Sequence, residues 1–298
     1  MVPADSPIDD LRRQIDEIDT ALHELLMRRS EIAAQIGALK GNGNNGPAAA
    51  SPFLRPGREA MILRRLIDRH RGPLPKATVV RMWREMMSAL VRLQGPFAVA
   101  VFAPDQRCDY RDLAQEHFGS LTPITTHDSL GQVLRAVIEG QATVGVLPLP
   151  QQDDQEPWWR YLLGNDARVP RVIARLPFGA PGALLGAAEA LAIGRVVQEE
   201  TGRDRSLFVL ETRTEVSRSG LRAALEASSL ETVYIHVWWD PSEPETWLHL
   251  IEIDGFLAPE DERLTAVAGR LGESLRRIWP LGGYAVPFSP DELDIGRT

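Results

Sequence analysis

Apolar residues recur at alternating spacings of three and four near the start of the chain, at Ile8, Leu11, Ile15, Ile18, Leu22, Leu25, Ile32 and Ile36. This spacing predicts one long helix over roughly residues 8–40 that packs along a seam. Asp5 or Ser6 can cap its start, with Pro7 in the first turn. At 1.5 Å per residue the helix is ~50 Å long. A domain of about 95 residues has a radius of gyration of only ~13 Å, so we expect the helix to reach into a partner in an intertwined homodimer.

Two more helices are predicted before residue 96. Residues 41–52 are rich in Gly, Asn, Ala and Pro and have no periodicity, which predicts a flexible loop. A second helix should follow Pro56, and a third should run from about Pro75 to about Gln94, where a Gly-Pro pair stops it. Residues 1–95 are therefore predicted to form an all-helical domain.

The pattern changes after residue 96. Helical segments at residues 110–117 and 129–139 alternate with apolar runs typical of buried strands: FAVAVFAP, TVGVLPLP and VPRVIARLPF. This alternation predicts an α/β region over residues 97–205. The order then becomes strand, helix, strand, strand and helix, with the last helix over residues 260–278. That order predicts a ferredoxin-like α+β domain over residues 206–290.

Composition narrows the classes of function. The 298 residues are enough for two or three domains, and the net charge is −8. An acidic chain does not favour nucleic acid or an anionic membrane as a partner. The single cysteine, Cys108, excludes an intrachain disulfide and fits a reducing compartment. No signal peptide and no run of about 18 apolar residues is evident, so we expect no membrane span and a cytoplasmic protein.

A cation occupies an apolar position of the first helix. The series that ends at residues 22 and 25 predicts an apolar residue at position 29, but Arg29 stands there. Because an unpaired buried charge is costly, Arg29 either extends to solvent, pairs with a carboxylate or faces a cavity that holds an anion. Lys40 lies about three turns further on and shares this face. Arg12 lies ~100° around the helix and can reach the same cavity only across a dimer.

The second and third helices also carry polar groups beside apolar positions. Arg58 and Glu59 precede the apolar stripe of the second helix, and Gln94 continues that of the third. Inward cations with one carboxylate and one amide predict a pocket for a small dianion. Two plainer interpretations stay open, because a charge pair at a helix start can serve the macrodipole and an amide is common at a helix end.

Three segments resemble the all-helical (type II) chorismate mutases, especially the mutase part of bifunctional chorismate mutase–prephenate dehydratases: LRRQIDEIDTALHELLMRRSEIAAQIGALK, RPGREAMILRRL and REMMSALVRLQ. The resemblance covers nearly all of residues 8–95. It implies that Arg12 comes from the partner chain and binds a carboxylate of chorismate. It also implies that Arg29 and Arg58 bind carboxylate and hydroxyl-side groups, and that Glu59 accepts a hydrogen bond from the ring hydroxyl.

The same resemblance assigns the groups nearest the reaction. Lys40 and Gln94 would donate to the ether oxygen whose bond breaks when chorismate rearranges to prephenate. The rearrangement is unimolecular, so it needs no cofactor, metal or nucleophile, only a compact conformer and donors for the growing charge. The chain departs from the family at Arg55, where an Asp is common, and at Leu90, where a Ser is common, so substrate affinity is expected to differ.

Residues 97–288 resemble a shortened, degenerate prephenate dehydratase module followed by an ACT regulatory domain. The catalytic Thr-Arg-Phe of that family maps onto Ser206, Leu207 and Phe208, so the arginine is missing. Because most of the second lobe is also missing, we expect no two-lobe cleft and no dehydratase activity. Of the ACT motifs only Gly220-Leu221 and Pro241 remain, which leaves an amino-acid effector such as phenylalanine as an open alternative.

Three functions follow from this sequence. The first is a dimeric chorismate mutase of aromatic amino acid biosynthesis whose C-terminal part serves dimerisation or regulation. The second is a bifunctional mutase–dehydratase, against which the missing arginine argues. The third is a non-catalytic, dimeric ligand-sensing protein whose helices serve only dimerisation. The inward groups Arg29, Lys40, Glu59 and Gln94 argue against it, because a purely structural helical seam gains nothing from them.

Overall fold

The computed structural model describes residues 6–41, 53–104, 109–179, 188–213, 216–243 and 245–295. Three helices come first: α1 Pro7–Gly41, α2 Pro56–Arg69 and α3 Lys76–Gln94. They confirm the three predicted helices. Ser6 caps α1, because its Oγ accepts a hydrogen bond from the Ile8 amide at 3.4 Å. The alternative cap Asp5 and nearly all of the loop predicted at residues 41–52 lie outside the described residues.

A mixed sheet follows the helices. Within the described residues it has nine strands in the order β2-β1-β3-β5-β4-β9-β6-β8-β7. The strands are β1 Val99–Phe102, β2 Ile124–His127, β3 Val144–Pro148, β4 Arg171–Leu176, β5 Ala190–Gly194, β6 Asp204–Thr212, β7 Thr232–Trp239, β8 Trp247–Asp254 and β9 Leu275–Ala285. The helices between them are α4 Asp109–Phe118, α5 Leu130–Ile138, α6 Arg218–Glu226 and α7 Glu262–Leu271.

The last four strands form a β-α-β-β-α-β unit. Their order is β9-β6-β8-β7, and every neighbouring pair is antiparallel. This is the predicted ferredoxin-like pattern with one more strand than the prediction contained. The helix predicted over residues 260–278 is wrong in its last part, because Gly272, with φ of 54°, ends α7 and β9 begins at Leu275. Leu275 and Ile278 keep a helical spacing from Leu271, but they pack into the same core from a strand.

The sheet continues across the boundary predicted between residues 205 and 206, which falls inside β6. β4 and β9 join the two parts through a parallel pairing of Val172 with Gly282. One hydrophobic core contains residues of both parts, among them Leu147, Trp159, Leu250 and Leu281. The two predicted C-terminal regions therefore share one sheet and one core.

Helices α2 and α3 pack against one end of this sheet. Ala60, Leu63 and Ile67 of α2 share a core with Phe178 and Phe288 of the sheet region. Polar contacts reinforce this packing, since the Arg64 guanidinium donates to the carbonyls of residues 201, 203 and 286. The mutase-like helices and the sheet region thus form one connected structure.

Helix α1 leaves its apolar seam uncovered. Its eight predicted seam residues are between 41% and 62% exposed. Only the C-terminal part is closely packed, where Ala33 is buried and Gly37 lies against Gln94 of α3. Among the described residues no helix combines the length and apolarity needed to cross a bilayer.

Candidate functional site

A cavity of about 410 Å³ lies between the end of α1, the start of α2 and the end of α3. Its polar lining consists of Arg29, Lys40, Arg55, Arg58, Glu59 and Gln94. Its apolar lining consists of Phe53, Ile32, Ala33, Ile36, Ile62, Met87, Leu90 and Val91. We call this space the helical cavity. A volume of this size with a few convergent polar groups is typical of small-molecule sites.

Five of the six predicted site residues line the helical cavity, namely Arg29, Lys40, Arg58, Glu59 and Gln94. The sixth does not. Arg12 lies 28 residues before Lys40 on a continuous helix, a distance of ~42 Å. Its Nη1 donates to Oδ1 of Asp9 at 3.1 Å on the exposed half of α1. Arg12 can therefore join such a cavity only from another chain.

Four cations surround the cavity, so its field favours an anion. Burial lowers the pKa of Arg29, and the charge of Arg58 lowers it further. Burial also lowers the pKa of Lys40, and Arg55 and Arg58 add to this, whereas Glu199 raises it. These neighbouring positive charges repel one another, which lowers their pKa values. A dianion bound between them offsets the repulsion and stabilises their charged forms.

Glu59 is held by a partner that the sequence analysis missed. Its Oε2 accepts a hydrogen bond from Nη1 of Arg84 at 2.9 Å. The Arg84 guanidinium also lies 4.8 Å from the ring centre of Phe178. Burial raises the pKa of Glu59, and Arg84 opposes that rise. Arg84 therefore fixes one carboxylate oxygen of Glu59 beside the cavity.

A close helix crossing positions Gln94. A Cβ added to Gly37 would stand 2.9 Å from the Cα of Gln94, closer than side chains tolerate. Glycine at this position therefore lets α1 approach α3. The Gln94 amide donates from Nε2 to the Leu90 carbonyl at 3.0 Å, beside the cavity. Leu90, the predicted departure from the family, is part of the apolar wall.

The sheet region also contacts this site. Oε1 of Glu199, in the segment between β5 and β6, accepts from Nε of Arg55 at 3.0 Å and pairs with Nη2 of the same side chain. Oε2 accepts from the Arg58 amide at 3.3 Å. No local sequence pattern indicates this contact, because Glu199 lies 144 residues from Arg55.

The sequence does contain a signal for Arg84, the other residue that the sequence analysis missed. It stands at helical spacing between two apolar residues, four after Val80 and three before Met87, and both are buried in the structure.

A second cavity of about 390 Å³ lies beside β6, where no cleft was expected. Its walls include Ser206 and Phe208, which the resemblance aligns with the dehydratase motif. The Ser206 hydroxyl donates to the Gly255 carbonyl at 3.0 Å and accepts from the Leu257 amide at 2.9 Å. Arg171 is the cation among the described lining residues, and it donates to three backbone carbonyls. Ser206 and Arg171 are thus both engaged with backbone groups of the protein.

The helical segment matches a known family. Residues 11–95 match the family model described as chorismate mutase type II, which confirms the resemblance for this segment. A relative from Pseudomonas aeruginosa, named bifunctional chorismate mutase/prephenate dehydratase, is 33% identical over 139 residues. That alignment covers 47% of this chain and 38% of the relative. The chain therefore spans less than half the length of the curated relative that it matches.

Two solved structures are similar to the chain at low identity. One, described as a novel type of quorum quenching acylase, has a TM-score of 0.48 at 12% identity and covers 65% of this chain and 96% of its own. The other, prephenate dehydratase from Streptococcus mutans, has a TM-score of 0.46 at 12% identity and covers 64% and 99%.

Proposed function

We propose that this protein is a chorismate mutase that converts chorismate to prephenate in aromatic amino acid biosynthesis. The observation that carries the proposal is the helical cavity, where five inward polar residues from three helices meet within the segment that matches the mutase family. A cavity of about 410 Å³ with four cations suits a small dianion. Chorismate, with two carboxylates, is such a ligand.

The mechanism uses positioning and electrostatics. Arg29 and Arg58 bind a carboxylate and the hydroxyl side of the substrate, and Glu59 accepts from the ring hydroxyl. Lys40 and Gln94 donate to the ether oxygen, where negative charge grows as the carbon–oxygen bond breaks. The apolar wall excludes water, so these donors act in a low dielectric where each is worth more than in water. No proton is transferred and no covalent intermediate forms.

The active protein is a homodimer in this proposal. The exposed seam of α1 is supported as an interface by its length and by six large apolar residues outside the cavity wall that are 53–62% exposed: Ile8, Leu11, Ile15, Ile18, Leu22 and Leu25. A partner helix along this seam brings its Arg12 toward the cavity of the other chain. The dimer thus covers the seam and supplies the sixth predicted residue of the site.

Charges introduced into the seam are expected to separate the dimer. The wild type should sediment at about twice its chain mass of 33.0 kDa, and Ile18→Glu/Leu22→Glu should sediment as a monomer, because paired seam carboxylates repel and lose apolar burial. Analytical ultracentrifugation checks this. Leu121→Glu is the matched control, since Leu121 is 76% exposed in the turn after α4. A wild-type monomer, or a dimeric double variant, contradicts the seam as the interface.

The C-terminal region is not a dehydratase in this proposal. Leu207 stands where the resemblance places the catalytic arginine, and it is buried in β6. The names of the relatives favour the alternative of a bifunctional mutase–dehydratase. The backbone hydrogen bonds that already engage Ser206 and Arg171 in the second cavity, beside β6, weigh against it. A ferredoxin-like unit is compatible with binding of an amino-acid effector, and a cytoplasmic location fits the proposed pathway.

Product identification tests the proposal and separates the alternatives. Purified protein is incubated with chorismate, its absorbance loss is followed, and the products are separated before and after acid treatment. The expected result is prephenate, which becomes phenylpyruvate only in acid. Phenylpyruvate before acid indicates the bifunctional enzyme. Chorismate loss no faster than in buffer leaves the non-catalytic ligand-sensing protein.

A further inference from the structure

The start of α2 rests on one segment of the sheet region, residues 199–203. A Cβ added to Gly57 would stand 3.0 Å from the Cβ of Glu199, so helix and segment are in close contact. Two turns further on, Arg64 donates to the Thr201 hydroxyl at 2.9 Å and to the Arg203 carbonyl at 2.9 Å. The first two turns of α2, which carry Arg58 and Glu59, therefore have their position set by this segment.

Within this segment Glu199 contacts two residues that line the helical cavity, Arg55 and Arg58. One carboxylate oxygen binds the Arg55 side chain and the other accepts from the backbone amide of Arg58. The second contact satisfies a free amide at the helix start and places an anion at the positive end of the helix dipole. Both arginines line the cavity, whereas Glu199 does not. Glu199 thus reaches the site only through them.

We propose that Glu199 is a positioning residue of the mutase site, through which the sheet region fixes Arg55 and Arg58 at the cavity wall. The inference rests on the proposed function. It also accounts for Arg55: the carboxylate common at this position in the family is absent here, and the sheet region supplies one beside it. The mutase site of this chain is then completed by a residue far outside the mutase-like segment.

Glu199 also balances the charge around Lys40. Among the described residues, the charged groups that face Lys40 are Arg29 on α1, Arg55 just before α2, Arg58 and Glu59 on α2, and Glu199; from α3 the neutral Gln94 faces the cavity. Residues 42–52, between α1 and Phe53, have no charged side chain. Removal of the Glu199 charge therefore lowers the pKa of Lys40, whereas removal of the Arg55 charge raises it.

The test compares Glu199→Gln with Glu292→Gln. Glu292 pairs with Arg203 away from the cavity. The side chains of this pair are 48% (Arg203) and 32% (Glu292) exposed. The Arg55–Glu199 pair is similarly exposed, at 45% and 28%. Michaelis constants for chorismate and the pH profile of kcat/KM up to about pH 10.5 are measured. Glu199→Gln should raise KM about tenfold with a smaller change in kcat, because binding contacts are disordered. Glu292→Gln should match the wild type.

The pH profile separates positioning from loss of fold. At high pH kcat/KM falls as Lys40 loses its proton, and we call this part of the profile the alkaline limb. The limb should move to lower pH in Glu199→Gln and to higher pH in Arg55→Gln. Glu199→Asp keeps the charge but withdraws it by one methylene, so it should raise KM and leave the limb in place. A folded Glu199→Gln with wild-type KM and limb, or Glu199→Asp with wild-type KM, overturns the positioning role. A wild type without turnover overturns the proposed function itself.

Discussion

Lys40→Ala is expected to lower kcat for chorismate by at least about a hundredfold, the cost of removing one preorganised donor at a growing negative charge. In the proposed mechanism Lys40 and Gln94 share that charge, and no other cation of the cavity is assigned to the ether oxygen. KM should change less than kcat, because the contact strengthens mainly in the transition state. Rates of chorismate loss over a range of substrate concentrations that reaches saturation measure both.

Lys76→Ala is the matched control for this prediction. The chain has two lysines, and Nζ of Lys76 pairs with Asp294 at 2.9 Å, away from the helical cavity. Its kcat should equal that of the wild type. A Lys40→Ala variant that retains more than a tenth of the wild-type kcat would mean that the ether oxygen lies elsewhere in the cavity.

Arg84→Leu is expected to lower the free energy of unfolding by about 3–5 kcal/mol. Arg84 is 6% exposed and its partner Glu59 is 18% exposed. The substitution leaves the largely buried Glu59 carboxylate without the Arg84 cation that pairs with it. It also removes the contact with the Phe178 ring, which joins α3 to the sheet region. Urea unfolding followed by circular dichroism measures the loss.

Two comparisons identify the buried carboxylate as the cause. Glu59→Leu/Arg84→Leu should recover most of the stability, because no unpaired charge is left. The deficit of Arg84→Leu should also shrink in acid. Burial raises the pKa of Glu59 in the folded state, so without Arg84 the folded protein binds the proton more readily than the unfolded chain, and stability rises as pH falls through that pKa. A deficit that is the same at pH 8 and pH 5.5 contradicts this explanation.

The periodicity of the chain predicts the first three helices and most of the polar residues that line the helical cavity. Arg29 interrupts an otherwise apolar series, and the structure places it in the cavity wall with Lys40. Short strands were harder to predict. β2 has 4 residues and is largely polar, and β5 has 5 residues in an alanine-rich stretch, so neither shows the run of large apolar residues that marked the equally short β1 and β3. The residues of β9 keep a helical spacing, and pairing with β6 decides that they form a strand.

Contacts between distant residues were beyond sequence reasoning. Glu199 follows a buried strand in a segment without periodicity, and its relation to Arg55 exists only once the sheet has folded against α2. Arg84 could have been found by the rule that identified Arg29, because it too stands in an apolar series. Its partner Glu59 could not have been predicted, because no residue of α3 indicates which carboxylate of α2 pairs with Arg84.

The most direct test of the account is a crystal structure with a stable bicyclic dicarboxylate shaped like the transition state of the rearrangement. Transition-state analogues bind at least about a hundredfold more tightly than substrates, so occupancy should be high. The account predicts the analogue in the helical cavity, with its ether oxygen within ~3.2 Å of both Lys40 Nζ and Gln94 Nε2 and with Arg12 of a partner subunit at one carboxylate. An analogue bound outside the helical cavity, or one whose ether oxygen contacts neither Lys40 nor Gln94, contradicts it.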